Sequence, residues 1–195
     1  MNSQDLKIFQ DIPTLQTSRL SLRKIEYSDI DAVFEYASRE EVTKYLLWSA
    51  HETKAFTKAY LREVQKQYRR HNFFDWAITL KNENKMLGTC GFSSFNLIHN
   101  TGEIGYVLSP DYWNKGIATE AARMVITFGF EVLDLNRIEA KFMIENNQSR
   151  RVLEKCGMKP EGIKREGIYA KGRYRDVEIY SITKSDYEKL KSRNT

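Results

Sequence analysis

The sequence predicts a single α/β domain of the α+β kind: a mixed, mostly antiparallel sheet of about seven strands, with a central parallel pair and flanking helices. Three observations carry that expectation. Apolar and polar residues alternate over seven short runs, as in strands with one face buried. Between the runs lie stretches whose apolar residues recur every three or four positions, as on one face of a helix. The longest of these, residues 117–132, joins two strands, and a strand–helix–strand crossover sets its two strands parallel.

Taken in order, Arg19 to Ile25 alternates and reads as the first strand. Ser28 and Asp31 have the spacing of a capping box, and Ile30, Val33, Phe34 and Ala37 then trace a helical face. Ser49 and Glu52 open a second helix in the same way, with Phe56, Tyr60, Leu61, Val64 and Tyr68 as its stripe. Phe73 to Leu80 is a strand with Phe74, Trp76, Ile78 and Leu80 on one side. Residues 81–85 form a polar turn, and Met86 to Phe95 is the hairpin partner. Ile104 to Leu108 is the next strand, and the long helix follows, its face made by Ile117, Ala121, Met124, Val125, Phe128 and Val132. Ile138, Ala140, Phe142 and Ile144 alternate along another strand. A short helix then ends at Gly157, a residue suited to a C-cap. Two last strands, about 162–169 and 174–182, meet at Lys171-Gly172.

The chain has 195 residues, enough for one well-buried core. Residues 17–185 are expected to form the domain, with 1–16 as an N-terminal extension and 186–195 as a C-terminal tail. No apolar run reaches transmembrane length and no basic-then-apolar signal opens the chain, so neither membrane attachment nor export is expected. Cys90 and Cys156 are the two cysteines, without a CxxC pair, which suits a reducing cytoplasm. His51, His71 and His99 are scattered, so no metal is expected. The net charge is +5, and basic residues cluster at Arg150-Arg151 and at Lys164, Arg165, Lys171, Arg173 and Arg175. They read mainly as a solvated rim, some of which phosphate groups or a ribosomal setting would use. No dedicated nucleic-acid-binding pattern appears. The chain is expected as a monomer or homodimer.

Residues 103–121 are the most informative stretch: Glu-Ile-Gly-Tyr-Val-Leu-Ser-Pro-Asp-Tyr-Trp-Asn-Lys-Gly-Ile-Ala-Thr-Glu-Ala. A short strand runs into a turn opened by Ser109-Pro110, and the chain passes through Asn114-Lys115-Gly116 into the long helix. Glycine there permits a sharp bend and close approach of a ligand to the backbone. The free N–H groups and positive dipole end of the helix make an anion site, so the segment reads as a phosphate cradle. A P-loop needs Gly, four residues and Gly-Lys-Ser/Thr, whereas here Lys115 precedes Gly116. A dinucleotide fingerprint needs three spaced glycines, and this turn has one. An anion held mainly by backbone N–H groups, without a metal, suits the pyrophosphate of coenzyme A.

Trp113-Asn114-Lys115-Gly116-Ile117-Ala118 resembles the Gln/Arg-x-x-Gly-x-Gly/Ala signature of the GCN5-related N-acetyltransferases (GNAT). Glu103-Ile104-Gly105-Tyr106 and Gly116 to Ala121 are similar to the RimJ/RimL type, which acetylates N-termini of ribosomal proteins. A second block, Asn146-Asn147-Gln148-Ser149 followed by Val152 to Met158, fits as well, and the resemblance spans roughly residues 17–183. Trp113 stands where many relatives have Gln or Arg, at a position used mainly for its backbone.

The resemblance implies that the two central strands splay and admit the pantetheine arm of acetyl-CoA, with Tyr106, Val107 and Leu108 offering backbone groups. It implies pyrophosphate binding by Asn114, Lys115, Gly116, Ile117, Ala118 and Thr119, and a coenzyme contact from Asn146. Gly105 would mark a bulge, a close approach or simple packing relief. Transfer from a thioester to an amine needs a neutral amine, an oxyanion donor and a proton for the thiolate. Glu103 is the first candidate base, against a plain ion pair with a lysine, and Asp176 and Glu178 are alternatives. Many relatives place a tyrosine acid four residues beyond Ser149, where this chain has Leu153; in the RimL-like group the serine itself is the proposed acid, here Ser149. Asn146 and Ser149 also suit helix capping alone. Tyr106 is expected to turn its ring into the core, and Cys156 to be a small buried residue rather than a nucleophile. The expected function is direct acetyl transfer from acetyl-CoA to a primary amine, foremost a protein N-terminal α-amine. The alternatives are a small amine such as an aminoglycoside or polyamine, and a non-catalytic acetyl-CoA-binding factor.

Overall fold

Strand signals and crossover resolve into one eight-stranded sheet in the computed structural model, which describes residues 12–70 and 74–193. In chain order the strands are β1 (Leu15–Gln16), β2 (Leu20–Lys24), β3 (Phe74–Leu80), β4 (Gly88–Asn96), β5 (Thr101–Leu108), β6 (Arg137–Met143), β7 (Lys159–Ala170) and β8 (Arg173–Thr183). Their order across the sheet is β1-β2-β3-β4-β5-β6-β8-β7. Every pairing is antiparallel except β5 with β6. The helices are α1 (Ile30–Ala37), α2 (Glu40–Thr43), α3 (Lys54–Arg69), α4 (Ile117–Glu131), α5 (Asn147–Lys155) and α6 (Lys184–Arg193). Among the described residues no helix is long and apolar enough to cross a membrane.

Alternate residues of the central strands face opposite layers, because successive side chains on a strand point to opposite sides. Trp76 is fully buried and meets Phe128 of α4 edge-on at 5.3 Å between ring centres. Phe74 joins the same aromatic cluster against Phe128 and Phe95. Each such side chain contributes about 1.5–3 kcal/mol on burial. The α4 stripe is buried at Ile117, Ala121, Val125 and Phe128, while Val132, expected on it, lies at the C-terminal end and is exposed. On the opposite layer Tyr36 of α1 and Leu61, Val64 and Tyr68 of α3 are buried, whereas Phe56, expected with them, is exposed in the first turn.

Several local expectations shift. The sheet gains the two-residue edge strand β1. Asp29, not Asp31, closes the first helical cap: its carboxylate accepts the Glu26 N–H (2.8 Å) while forming a two-pronged pair with Arg23 (2.7 and 2.9 Å). A charge-assisted bond from Arg23 decides which carboxylate does the capping. Helix α3 begins at Lys54 rather than near Ser49, because residues 44–53 form a loop tied back by the His51 N–H to the Ala37 carbonyl (3.0 Å). Strand β6 stops at Met143 before Ile144. Residues 184–193, expected partly as tail, form α6, where Tyr187 stacks on Phe130 at 4.9 Å. Phe73 and His71 lie outside the described residues.

The parallel pair is short. Thr101, Gly102 and Glu103 of β5 stand in register with Arg137, Ile138 and Glu139 of β6, and the pairing ends there. Beyond that point β5 continues beside β4 as far as Leu108, and β6 continues beside β8 as far as Met143. The strands therefore fork after Glu103. A bulge in β4 between Phe92 and Ser94 sits opposite this point, and the extra residue adds the bend and twist that carry β5 away. The bulge is in β4, not at Gly105 as one reading of that glycine has it.

Candidate active site

The fork opens onto the entry of α4. Asn114 (φ 60°) and Gly116 (φ 75°) both adopt left-handed backbone, so the chain folds back on itself immediately before the helix. Successive N–H groups in such a turn converge into an anion-binding concavity. The first α-helical bond runs from the Glu120 N–H to the Gly116 carbonyl (3.0 Å), so the N–H groups of Ile117, Ala118 and Thr119 precede the ladder. Gly116 is required by its φ, not by crowding: an added Cβ would lie 3.4 Å from Arg19 Nη2.

Arg19, 97 residues upstream, is a member of this site that no motif announces. Its guanidinium donates to Glu120 (2.7 Å) and to the Lys115 carbonyl (3.1 Å). Glu120 also accepts from the Thr17 and Ser18 hydroxyls and the Arg19 N–H. Desolvation alone would raise its pKa, but these hydrogen bonds outweigh it and hold the carboxyl at about 2. The Glu120–Arg19 pair thus ties the first strands to the helix start. A cleft of about 520 Å³ opens alongside, lined by Arg19, Gly116, Thr119, Arg123 and Lys155 among others. Lys115 is exposed, its ammonium 5.2 Å from the Tyr112 ring centre. Trp113 uses more than its backbone: its indole N–H donates to the Leu108 carbonyl (2.8 Å), occupying one group on the edge expected to face pantetheine.

Across the fork, Asn146 caps α5 by accepting the Ser149 N–H (3.1 Å). Ser149 is half-buried, and its carbonyl accepts the Tyr106 hydroxyl (3.1 Å). Tyr106 is thus only partly in the core, with its polar end at the first turn of α5. Burial raises its pKa, so it stays protonated, and a phenol does stand beside Ser149 although Leu153 is buried. Cys156 is buried with its thiol pushed up to about 12 by desolvation, so it is no nucleophile.

The carboxylates differ sharply. Glu103 stands at the fork, and Lys141 of β6 holds it at 2.6 Å. Glu178 is bound to Arg150 of α5 (2.8 Å), and Asp176 accepts the Glu166 N–H (2.7 Å), so each has a structural task. Tyr169 and Tyr174 pack edge-on against each other in the last hairpin, largely exposed. Asp75 of β3, which no motif marks, has its pKa pushed up to about 7, chiefly by desolvation.

This arrangement of fork, helix entry and capped second helix has known counterparts. Residues 19–159 match the acetyltransferase (GNAT) domain family. The chain belongs to the GNAT acetyltransferases. It is 36% identical over 174 residues to the uncharacterized N-acetyltransferase p20 of Bacillus licheniformis, covering 89% of this chain and 98% of that protein. It is 24% identical over 170 residues to the spermidine N(1)-acetyltransferase of Vibrio cholerae, covering 87% and 96%. It shares the fold of the ribosomal L7/L12 α-N-protein acetyltransferase RimL in complex with coenzyme A (TM-score 0.78, 20% identity, 88% and 98% coverage). As a GNAT enzyme it is an acetyl-CoA-dependent acyltransferase. The fold brings Glu103, Tyr106, Asn146 and Ser149 around the fork and places Asn114 to Thr119 at the helix entry.

Proposed function

We propose that the enzyme transfers acetyl directly from acetyl-CoA to the α-amine of a protein N-terminus, and that it does so in the cytoplasm. The observation that carries this reading is the fork: Ile104 to Leu108 have no partner in register on β6, so an extended pantetheine arm can lie against β5 like an added strand. The pyrophosphate would rest on the N–H groups of residues 114–119, and Tyr106, Val107 and Leu108 would line the arm. Asn146 would contact the coenzyme while capping α5. Ser149 would protonate the departing thiolate, aided by the Tyr106 phenol beside it. Glu103 is the fork carboxylate, and any proton it accepts requires its pair with Lys141 to open.

The amine itself supports an N-terminus. Freeing a lysine amine at neutral pH costs roughly 4–5 kcal/mol, against about 1 kcal/mol for an α-amine. The similarity to the RimJ/RimL type points the same way, while the spermidine relative keeps a polyamine in view. Coenzyme thiol release from acetyl-CoA, measured with α-amine peptides, polyamines and aminoglycosides, separates them. Peptides with free N-termini should turn over fastest, and faster turnover of spermidine would overturn the acceptor assignment.

A further inference from the structure

Asp75, Gly91 and Gly105 form one row across β3, β4 and β5, Asp75 opposite Gly91 and Gly91 opposite Gly105. Residues directly opposite in antiparallel strands share a face, so the carboxylate and two positions without side chains look the same way. The Thr89 hydroxyl of β4 donates to the Asp75 carboxylate, which therefore lies over β4. At Gly105 an added Cβ would meet nothing within 4 Å. Gly105 is exposed to open space, which removes packing relief as the reason for this glycine. Gly105 is the second residue past Glu103, so the row ends at the fork.

The groups facing Asp75 come from two helices: Tyr36 of α1 and Tyr60 and Tyr68 of α3; Cys90 of β4, paired with Trp76, is on the other face of the sheet. All three are neutral, their pKa values raised by burial first, with the Asp75 charge adding to it. Asp29 also acts on Tyr36 and Tyr68, but Arg23 neutralises it. Around Asp75 itself only the Trp76 N–H and the Thr89 hydroxyl oppose desolvation. Tyr60 leads outward, its ring 6.3 Å from His51, which lies 5.2 Å from Trp48 on the loop at 45–51. A carboxylate among aromatic rings is a receptor for an ammonium ion.

We propose that Asp75 receives the protonated acceptor amine and takes its proton before attack on the thioester. This rests on acetyl-CoA lying in the fork. The ammonium gives one proton to the carboxylate; the neutral nitrogen forms a bond to the thioester carbonyl carbon as the C–S bond breaks. The thiolate takes a proton at the Ser149 side, the new amide loses its second proton to solvent, and Asp75 releases its own. An α-ammonium near pKa 8 passes a proton to a carboxylate near 7 with only about a tenfold penalty, against about ten-thousandfold for an ordinary aspartate. Glu103 keeps its pair with Lys141.

The test compares D75N, D75E and E103Q with the wild type, using an alanine-initiated peptide and spermidine as probe amines, together with acetyl-CoA calorimetry and a carboxyl-carbon NMR titration. D75N should lower kcat/KM by about a hundredfold or more and abolish the rise in rate through pH 7. D75E should recover part of it, and E103Q should change the rate less than about threefold. Acetyl-CoA affinity should stay within about threefold in D75N, and its melting temperature at pH 8 should not fall, because a charge held against a desolvation penalty is gone. The carboxyl signal missing from D75N should titrate near 7. A signal titrating near 4, or an unchanged pH profile with normal acetyl-CoA affinity, overturns the proposal alone. Absent acetyl-CoA binding in the wild type overturns the coenzyme placement and the proposal with it.

Discussion

The two halves of the cleft draw on different parts of the polypeptide. The half assigned to the coenzyme is a nearly continuous stretch, residues 103–119, and it presents backbone: the edge of β5 and the N–H groups ahead of the α4 ladder. The half assigned to the acceptor is assembled from side chains on β3, α1, α3 and the loop at 45–51, brought together by sheet register and helix packing. A site made of backbone needs particular residues at fixed spacing, such as Gly116 at φ 75°, and therefore leaves a motif. A site made of side chains needs only that strands align, and it leaves none.

Five substitutions, besides those at Asp75, probe the difference. Among these five the largest effect is expected at Ser149, beside Tyr106 across the fork: Ser149→Ala should lower kcat by about tenfold to a hundredfold while acetyl-CoA affinity moves only a few fold. Because Asn146 caps through the Ser149 backbone N–H, which alanine retains, the melting curve should hardly change. A wild-type kcat would reduce Ser149 to a structural residue and pass the acid role to Tyr106.

On the coenzyme side, Gly116→Val should weaken acetyl-CoA binding by about tenfold or more by calorimetry, since a branched side chain rarely tolerates φ 75°. Lys115→Ala should cost less than about threefold, its exposed ammonium being secondary to the backbone. The opposite ranking would mean that the anion is held by side-chain charge.

Glu120→Gln tests, through stability, the tie between the first strands and the α4 entry. The folded carboxyl lies at about 2, below its ordinary value, so its contribution is present above the unfolded pKa and is lost as pH falls. Urea unfolding at pH 7 should show a loss of roughly 1–2 kcal/mol, discounted for the exposure of Arg19. The gap should close between about pH 4.5 and pH 2. A gap that persists at pH 2 would place the effect outside the carboxylate.

Glu103→Gln should be the mildest, with less than about a threefold loss of kcat/KM and under about 1 kcal/mol of stability, because the pair with Lys141 is partly exposed. A loss comparable with that of D75N would return the base role to the fork and erase the contrast between the halves.

The same contrast explains what the amino-acid order reveals. The seven longer strands, the crossover helix, the sharp turn at Asn114 to Gly116 and the Asn146 cap of α5 are legible because each rests on periodicity or a local turn requirement. The Ser28 and Asp31 cap misleads because Arg23, distant along β2, recruits Asp29 instead. Arg19 reaches the cradle only because β1 and β2 fold against the start of α4 through Glu120, and nothing local encodes that. Asp75 sits in an alternating strand where a lone polar residue reads as solvent-facing. Its distinction comes from the three tyrosines of another layer and from bare glycines on its neighbours.

The placement of the coenzyme in the fork is the claim on which the rest depends, and amide hydrogen exchange with and without acetyl-CoA tests it most directly. The account predicts added protection at Ile117 to Thr119 and along Ile104 to Leu108, with β2 and β3 unchanged. Protection confined to other strands, with the α4 entry unaffected, would contradict it.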